Sequence, residues 1–244
     1  MRKETIAVLE KEYHHRRKRY LIVTGILAIF AALLCCTMLL VGNTIYNPNI
    51  VLRVLIGETI DSASYAIRTL RLPRMLGGLF AGFAFGLGGS IFQTILRNPL
   101  ANPNTIGITA GSGVGAVLCI IVLHASAAVT YPISIATGLL CTIAIYMFSL
   151  KGKFSISRMI LVGIGVQAML NAVISYLLII SAAQDVSTAM RWLSGSLNGL
   201  QMDRLYPLFL LTALCVPAIM LMNKPLMMLE LGEEAATTMG VNTP

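Results

Sequence analysis

The residues that could carry out chemistry are few, and none of them forms a recognised catalytic pattern. Between Asp61 and Asp185 the chain has no Asp or Glu, whereas a proton- or sodium-driven transporter usually places a carboxylate within the membrane. His14 and His15 lie in the N-terminal polar segment, and His124 ends an apolar run, where an interfacial role is favoured over a role as a base. No HExxH pattern and no Gly-rich phosphate loop is present. These absences argue against a membrane hydrolase and against ATP hydrolysis by this chain, so uphill transport would need energy from a partner.

The cysteines do not form a disulfide framework or a metal site either. All five lie inside apolar runs: Cys35, Cys36, Cys119, Cys141 and Cys215. A disulfide framework would need them in exposed loops, and metal ligation would need CxxC or His spacing. We therefore expect small core or lipid-facing residues, and no metal or cofactor bound by this chain.

One polar pattern does suggest a function. Gln167, Asn171 and Ser175 are spaced by four within an apolar stretch, so they share one helical face with Gly163. An amide exposed to lipid is costly, so these side chains must meet other helices or water. The pattern fits interhelical hydrogen bonding and the lining of a polar path equally well.

Glycine spacing indicates close helix contacts. Two sets recur every four residues: Gly78, Gly82 and Gly86, then Gly107, Gly111 and Gly115. Such faces let helix backbones approach closely in a membrane. Packing within one bundle is favoured here over a dimer interface.

The elements that must position these residues are membrane-spanning helices. Hydrophobic residues make up 57% of the 244 positions and charged residues 11%, with a mean hydropathy of +0.81. A soluble domain has about 45–50% apolar and about 25% charged residues. The net charge of +8 does not indicate a nucleic-acid partner, because the basic residues lie in the N-terminal segment and between apolar runs.

The apolar runs predict an all-α, polytopic transmembrane helical bundle. A basic cytoplasmic tail, 1–19, precedes a transmembrane domain over 20–223, and 224–244 follows as a loop. Six spans are expected, at about 20–42, 75–96, 105–124, 130–150, 158–181 and 204–223. The loop 43–74 has the apolar spacing of a short surface helix around Val51 and Leu55, and 182–203 is long enough for an interfacial or re-entrant piece.

The distribution of Lys and Arg predicts a cytoplasmic N-terminus, since cytoplasmic segments retain basic residues. Four arginines on the predicted outer side oppose this trend and need a reason: Arg53, Arg68, Arg71 and Arg74. Pro73 lies between the last two, disfavours helix at the residue before it, and permits the second span to begin at the proline itself.

Several motifs, in order, resemble one family. They are RLPR at 71–74, Gln93, RNPLANP at 97–103, Gly107 and Gly111, SISR at 155–158, RWLSGSL at 191–197, LGEEAA at 231–236 and MGV at 239–241. Together they are similar to the permease subunits of iron-siderophore and vitamin B12 ABC importers. The resemblance covers nearly all of the chain beyond the first span.

The resemblance implies a working arrangement. Two permease copies, expected here as a homodimer in the cell membrane, are driven by two cytoplasmic ATPases and fed by an extracytoplasmic substrate-binding protein. ATP acts through the partner ATPase, and the permease moves its cargo by alternating access. The expected cargo is a ferric siderophore or similar iron chelate, with cobalamin and haem as alternatives. A secondary transporter is the alternative of another class.

The same resemblance implies where the chain would act, and how complete it is. Members typically have about ten spans, so we expect this chain to be an N-terminal portion: a shortened form, an incomplete reading frame or a split subunit.

The implied cytoplasmic gate consists of Asn98, Leu100, Ser155, Ile156 and Ser157. The implied ATPase-coupling residues are Gly232, Glu233, Glu234, Ala235 and Gly240. Arg71 and Arg74 would receive the binding protein, while snorkelling to lipid headgroups is an equally good reading from the residues alone.

Overall fold

The fold is given by a computed structural model, which describes residues 2–151, 153–230 and 237–240. Helices make up most of it, with one short antiparallel strand pair. The elements are α1 (Arg2–Leu40), α2 (Pro48–Ile56), α3 (Asp61–Ser64), a π-helical segment (Tyr65–Arg71), α4 (Leu72–Leu96), a 3-10 turn (Pro103–Ile106), α5 (Ile108–Ile121), α6 (Ala127–Ser149), β1 (Leu150–Lys151), β2 (Lys153–Phe154), α7 (Ile156–Ile180), α8 (Ala183–Ser194), a second 3-10 turn (Met202–Arg204) and α9 (Tyr206–Glu230). The predicted all-α, polytopic membrane fold is confirmed.

Five helical stretches among the described residues are long and apolar enough to cross a membrane. They are Lys11–Leu40, Asp61–Leu96, Ala127–Ser149, Ile156–Ile180 and Met202–Leu229. The span expected at 105–124 is instead the 14-residue helix α5. At about 1.5 Å per residue this helix is shorter than the hydrocarbon core, which is about 30 Å thick. It is shortened because Gly107 and His124 adopt φ angles of 84° and 45°, which do not continue an α-helix.

The first two membrane helices begin earlier than the hydropathy pattern suggests. α1 already starts at Arg2, within the segment expected as a polar tail. The second membrane helix starts at Asp61 and runs through Pro73, so this proline is not its first residue. The π-helical segment explains the continuity: the Leu72 N–H donates to the Ile67 carbonyl, five residues back, and the wider turn accommodates the proline that follows.

The chain divides into two compact units, of which the first contains Met1–Phe80 and Asn198–Phe209. Its buried core is formed by the end of α1, the inner face of α2, α3 and the π-helical segment: Leu39, Val51, Val54, Ala63 and Ile67. Phe80 and Phe209 meet edge to face with ring centroids 4.5 Å apart. α2 is thus fixed by its own apolar side chains, as its period of about 3.6 residues predicted.

The second unit contains Ala81–Leu197 and Leu210–Pro244 and is organised around α5, which packs against α6, α7 and α8. Glycines of α5 make the close contact with α6. A Cβ atom at Gly111 would lie 2.5 Å from the Cys141 Cβ, and one at Gly115 would overlap Thr137. In contrast, Gly82 and Gly86 on α4 have open space within 4 Å in the described part of the chain.

Candidate functional site

The four arginines that oppose the charge pattern all bind within their own unit. Arg71 donates from Nη1 to the Leu39 carbonyl at 2.8 Å and from Nη2 to the Thr44 carbonyl at 2.6 Å. Its guanidinium also lies 4.9 Å from the centre of the Tyr46 ring. Leu39 is one residue from the end of α1, where carbonyls lack helical partners and the helix dipole is negative. Arg71 therefore caps the first membrane helix.

Arg68 and Arg53 make comparable contacts at the C-terminal end of α2. Arg68 donates from Nε and Nη2 to the Val54 carbonyl, with 2.8 Å for the Nε contact. Arg53 forms a two-point ion pair with Glu58, just beyond the helix end. Hydrogen bonding to Arg53 lowers the pKa of Glu58, so the pair persists at neutral pH and is lost as the pH falls through that lowered value.

Arg74 is more accessible to a partner than Arg71. It is exposed, and its Nη2 donates to the Asn198 Oδ1 at 2.5 Å. Arg71, by contrast, is half-buried and satisfies backbone carbonyls. The structure thus gives these residues an internal role that the sequence analysis missed, although their opposition to the charge trend had signalled that a role was needed. Docking of a binding protein on Arg71 and Arg74 stays a prediction.

The loop after α4 is a rigid polar turn. The Asn98 Oδ1 accepts from the Leu100 N–H at 2.9 Å, and the Asn102 Oδ1 accepts from the Asn104 N–H at 3.0 Å. These side chains thereby fix the loop between its prolines. Leu100 projects from the turn with 88% of its surface exposed. Beside it lies an open cavity of about 400 Å³ lined by Ser90, Gln93, Thr94, Arg97, Asn98 and Pro99.

The loop leads directly to the polar face of α7. At the end of the 3-10 turn, Gly107 adopts a left-handed φ of 84°. A Cβ atom there would lie 3.1 Å from the Gly163 carbonyl and 3.2 Å from the Gln167 nitrogen. Only glycine combines this backbone conformation with this approach. The first residue of the polar face is thereby placed against the loop.

The rest of the polar face is open. α7 buries Gly163, Ile174 and Leu177, whereas Asn171 and Ser175 are exposed and make no side-chain hydrogen bond to the described residues. The sequence left two functions open for this face, interhelical hydrogen bonding and the lining of a polar path. Asn171 and Ser175 form no interhelical hydrogen bond within the described residues.

The second half of the predicted gate lies at the start of α7. Ser155 is the residue before the helix, Ile156 its first residue, and Ser157 is exposed. Nearby, Arg158 donates to the Ser149 carbonyl at 3.1 Å and so joins α7 to the end of α6. Within the described residues no hydrogen bond links this group to the Asn98–Leu100 turn, so the gate stays a prediction.

The predicted ATPase-coupling residues are mostly beyond what the structure describes. Gly232, Glu233, Glu234 and Ala235 lie outside the described residues. Gly240 is described: its φ is 87° and its N–H donates to the Thr237 carbonyl at 3.0 Å, as expected for a glycine that ends a turn. Among the described residues no group of three or more His, Cys, Asp or Glu side chains could hold a metal ion.

The membrane-length helices, with an exposed polar face on α7 and a rigid loop beside it, define a polytopic helical membrane protein. The chain belongs to the FecCD transport family, whose profile matches residues 27–244. It is 28% identical over 225 residues to the ferric enterobactin transport system permease protein FepG of Escherichia coli K12, covering 92% of this chain and 68% of that protein. The family expected from the motifs is confirmed.

Other relatives are named for different cargoes. The chain is 30% identical over 233 residues to the Fe(3+)-citrate import system permease protein YfmE of Bacillus subtilis 168, covering 95% of this chain and 69% of that protein. It is 28% identical over 183 residues to the cobalamin import system permease protein BtuC of Halobacterium salinarum, covering 75% and 49%. A solved metal-chelate type ABC transporter in an inward-facing conformation superposes with a TM-score of 0.79 at 27% identity, over 91% of this chain and 68% of that one.

Proposed function

We propose that this chain is a permease subunit of an ATP-driven importer that moves iron chelates across the cell membrane by alternating access. The observation that carries the proposal is the exposed polar face of α7, at Asn171 and Ser175. Amide and hydroxyl groups in a membrane helix need polar surroundings. A water-filled path for a polar chelate supplies them, and the loop that ends at Gly107 holds the start of this face in place.

The proposed partners follow from the family. A cytoplasmic ABC ATPase would supply the energy, an extracytoplasmic binding protein would deliver the cargo, and a second permease copy would complete the path. The segment with Gly232, Glu233, Glu234, Ala235 and Gly240 is proposed to dock on the ATPase. The absence of Asp and Glu between Asp61 and Asp185 supports this energy source, because it leaves no carboxylate there for ion coupling.

The cargo can be tested by uptake in iron-limited cells that lack this chain. We expect the chain, supplied with its ATPase and binding protein, to restore uptake of radioactive iron from a ferric chelate. A matched control carries an inactive ATPase and should show only background uptake. If only cobalamin or haem uptake is restored, that compound is the cargo and the proposed iron chelate is not. Uptake that persists with the inactive ATPase and collapses with an uncoupler would indicate a secondary transporter.

The cytoplasmic gate is proposed at Asn98, Leu100, Ser155, Ile156 and Ser157. Its first part suits a seal, because the Asn98 side chain fixes the turn that presents Leu100. In the assembled transporter, the Leu100→Cys and Ile156→Cys variants should react with a water-soluble maleimide at different rates in the nucleotide-free and ATP-bound states.

The matched control for the gate is Ile179→Cys, near the other end of α7, where 81% of the side chain is exposed. Its rate of labelling should not show the change between the nucleotide-free and ATP-bound states that is expected at Leu100→Cys and Ile156→Cys. Equal labelling of Leu100→Cys and Ile156→Cys in both states would count against the gate.

Docking of the binding protein is proposed at Arg74, while Arg71 stabilises the surrounding backbone through the Leu39 and Thr44 carbonyls. An exposed ion pair contributes about 0–1 kcal/mol, so orientation and encounter rate are affected more than affinity. Arg74→Glu should slow association of the binding protein about tenfold at low salt, measured by surface plasmon resonance. Reversing an acidic residue on the binding protein should restore part of the rate. An unchanged rate in Arg74→Glu, at normal protein abundance, would refute docking at this residue.

A further inference from the structure

The short helix α2 has a second apolar face that its own core does not use. Val51 and Val54 are 5% and 0% exposed and pack into the first unit. Leu52, Leu55 and Ile56 are 56%, 41% and 83% exposed. At about 100° per residue, these three side chains form one ridge beside the buried face.

The connections of α2 keep this ridge close to the bilayer. Seven residues, 41–47, separate α2 from the membrane helix that ends at Leu40, and four, 57–60, separate it from the next membrane helix. α2 also shares a buried core with the ends of both helices, through Leu39 and Ile67. A helix held in this way cannot lie far from the bilayer surface.

The charges around the ridge favour lipid over an acidic or basic partner protein. Arg53 is neutralised by Glu58, and the guanidinium of Arg68 is occupied by the Val54 carbonyl. The surface next to the ridge therefore offers a partner apolar side chains and a compensated ion pair. This combination matches the boundary between headgroups and acyl chains, where amphipathic helices bury one face and keep charges in water.

We propose that α2 is an interfacial helix whose ridge of Leu52, Leu55 and Ile56 inserts into the bilayer surface, the outer one in the predicted topology. The ridge anchors the connection between the first two membrane helices at a fixed depth. The capping by Arg68 and Arg71 transmits this position to both helices. The inference is independent of the cargo proposed above.

The single tryptophan of the chain, Trp192, makes fluorescence a direct test. The full chain is reconstituted in phosphatidylcholine vesicles, and Leu52→Trp is compared with Arg53→Trp, which lies about 100° around the helix. The signal of the parent protein, due to Trp192, is subtracted. Lipid brominated near the top of the acyl chain should quench Leu52→Trp about twofold more strongly than Arg53→Trp. Aqueous iodide should show the reverse order.

Two outcomes would overturn the proposal. One is equal quenching of both positions by brominated lipid with strong iodide quenching at Leu52→Trp. The other is shielding of Leu52→Trp only after the purified binding protein is added, which would make the ridge a protein contact. If Leu52→Trp fails to reconstitute, Leu55→Trp decides by the same two measurements, since it lies on the same ridge.

Discussion

Gly111→Val should destabilise the packing of α5 on α6 more than any conservative change on the polar face of α7. A Cβ atom at Gly111 would lie 2.5 Å from the Cys141 Cβ and 3.3 Å from the Thr137 carbonyl. Neither contact is the flexible end of a side chain, so the two helices must separate. Overpacking of this kind costs about 1–3 kcal/mol, and we expect a Tm lower by about 2–4 °C for each kcal/mol.

Trp192 fluorescence during heating in detergent measures this loss, because α8, which carries Trp192, packs against α5. Gly86→Val is the matched control. It introduces the same β-branched residue into a membrane helix, but at a position with nothing within 4 Å in the described part of the chain. A Tm for Gly111→Val equal to that of Gly86→Val would show that the close approach of α5 and α6 is not required.

Arg71→Gln should loosen the end of α1. The substitution removes the guanidinium that bridges the Leu39 and Thr44 carbonyls, and glutamine cannot reach both with one amide. Loss of hydrogen bonds made by a charged, half-buried donor costs about 1–3 kcal/mol. We expect a lower Tm and faster proteolysis within residues 41–47. Arg71→Lys should recover only part of the stability, because an ammonium lacks the planar fork that spans two acceptors.

Arg74→Gln separates capping from docking. Arg74 is exposed and bonds a side chain, Asn198, rather than a helix end, so its loss should leave the Tm and the proteolysis rate nearly unchanged. If Arg71→Gln instead behaves like Arg74→Gln in both measurements, and both variants only slow binding-protein association, then Arg71 serves docking rather than the fold.

Hydropathy predicted the membrane fold because it depends on local composition, and the order of the motifs resembled the family whose profile matches the chain. α7, observed at Ile156–Ile180, lies close to the span expected at 158–181, since an uninterrupted apolar run leaves the backbone few alternatives to a helix. The short surface helix expected near Val51 is α2, because its apolar spacing has a helical period.

The features that the sequence did not predict depend on distant partners or on unusual backbone angles. The length of α5 is set by positive φ angles at Gly107 and His124. The hydropathy of 105–124 does not indicate these angles. The partners of Arg71 are carbonyls 27 and 32 residues away. Every residue carries a carbonyl, so sequence types cannot identify which one accepts the bond.

The π-helical segment Tyr65–Arg71 also affects which changes in length this part of the chain can accept. A π turn holds more residues than an α turn, so deletion of one residue from it lets the helix return to ordinary α geometry without interrupting the span. Deleting Thr69 should therefore leave the residues on either side of the segment close to their present orientation, because an α turn covers about the same rotation with one residue fewer. Deleting a residue from the ordinary α geometry of α4 would instead rotate the helix before it by about 100° relative to the helix after it. The π-helical segment is thus the part of this span where the loss of one residue should not turn the second membrane helix away from α2 and the end of α1.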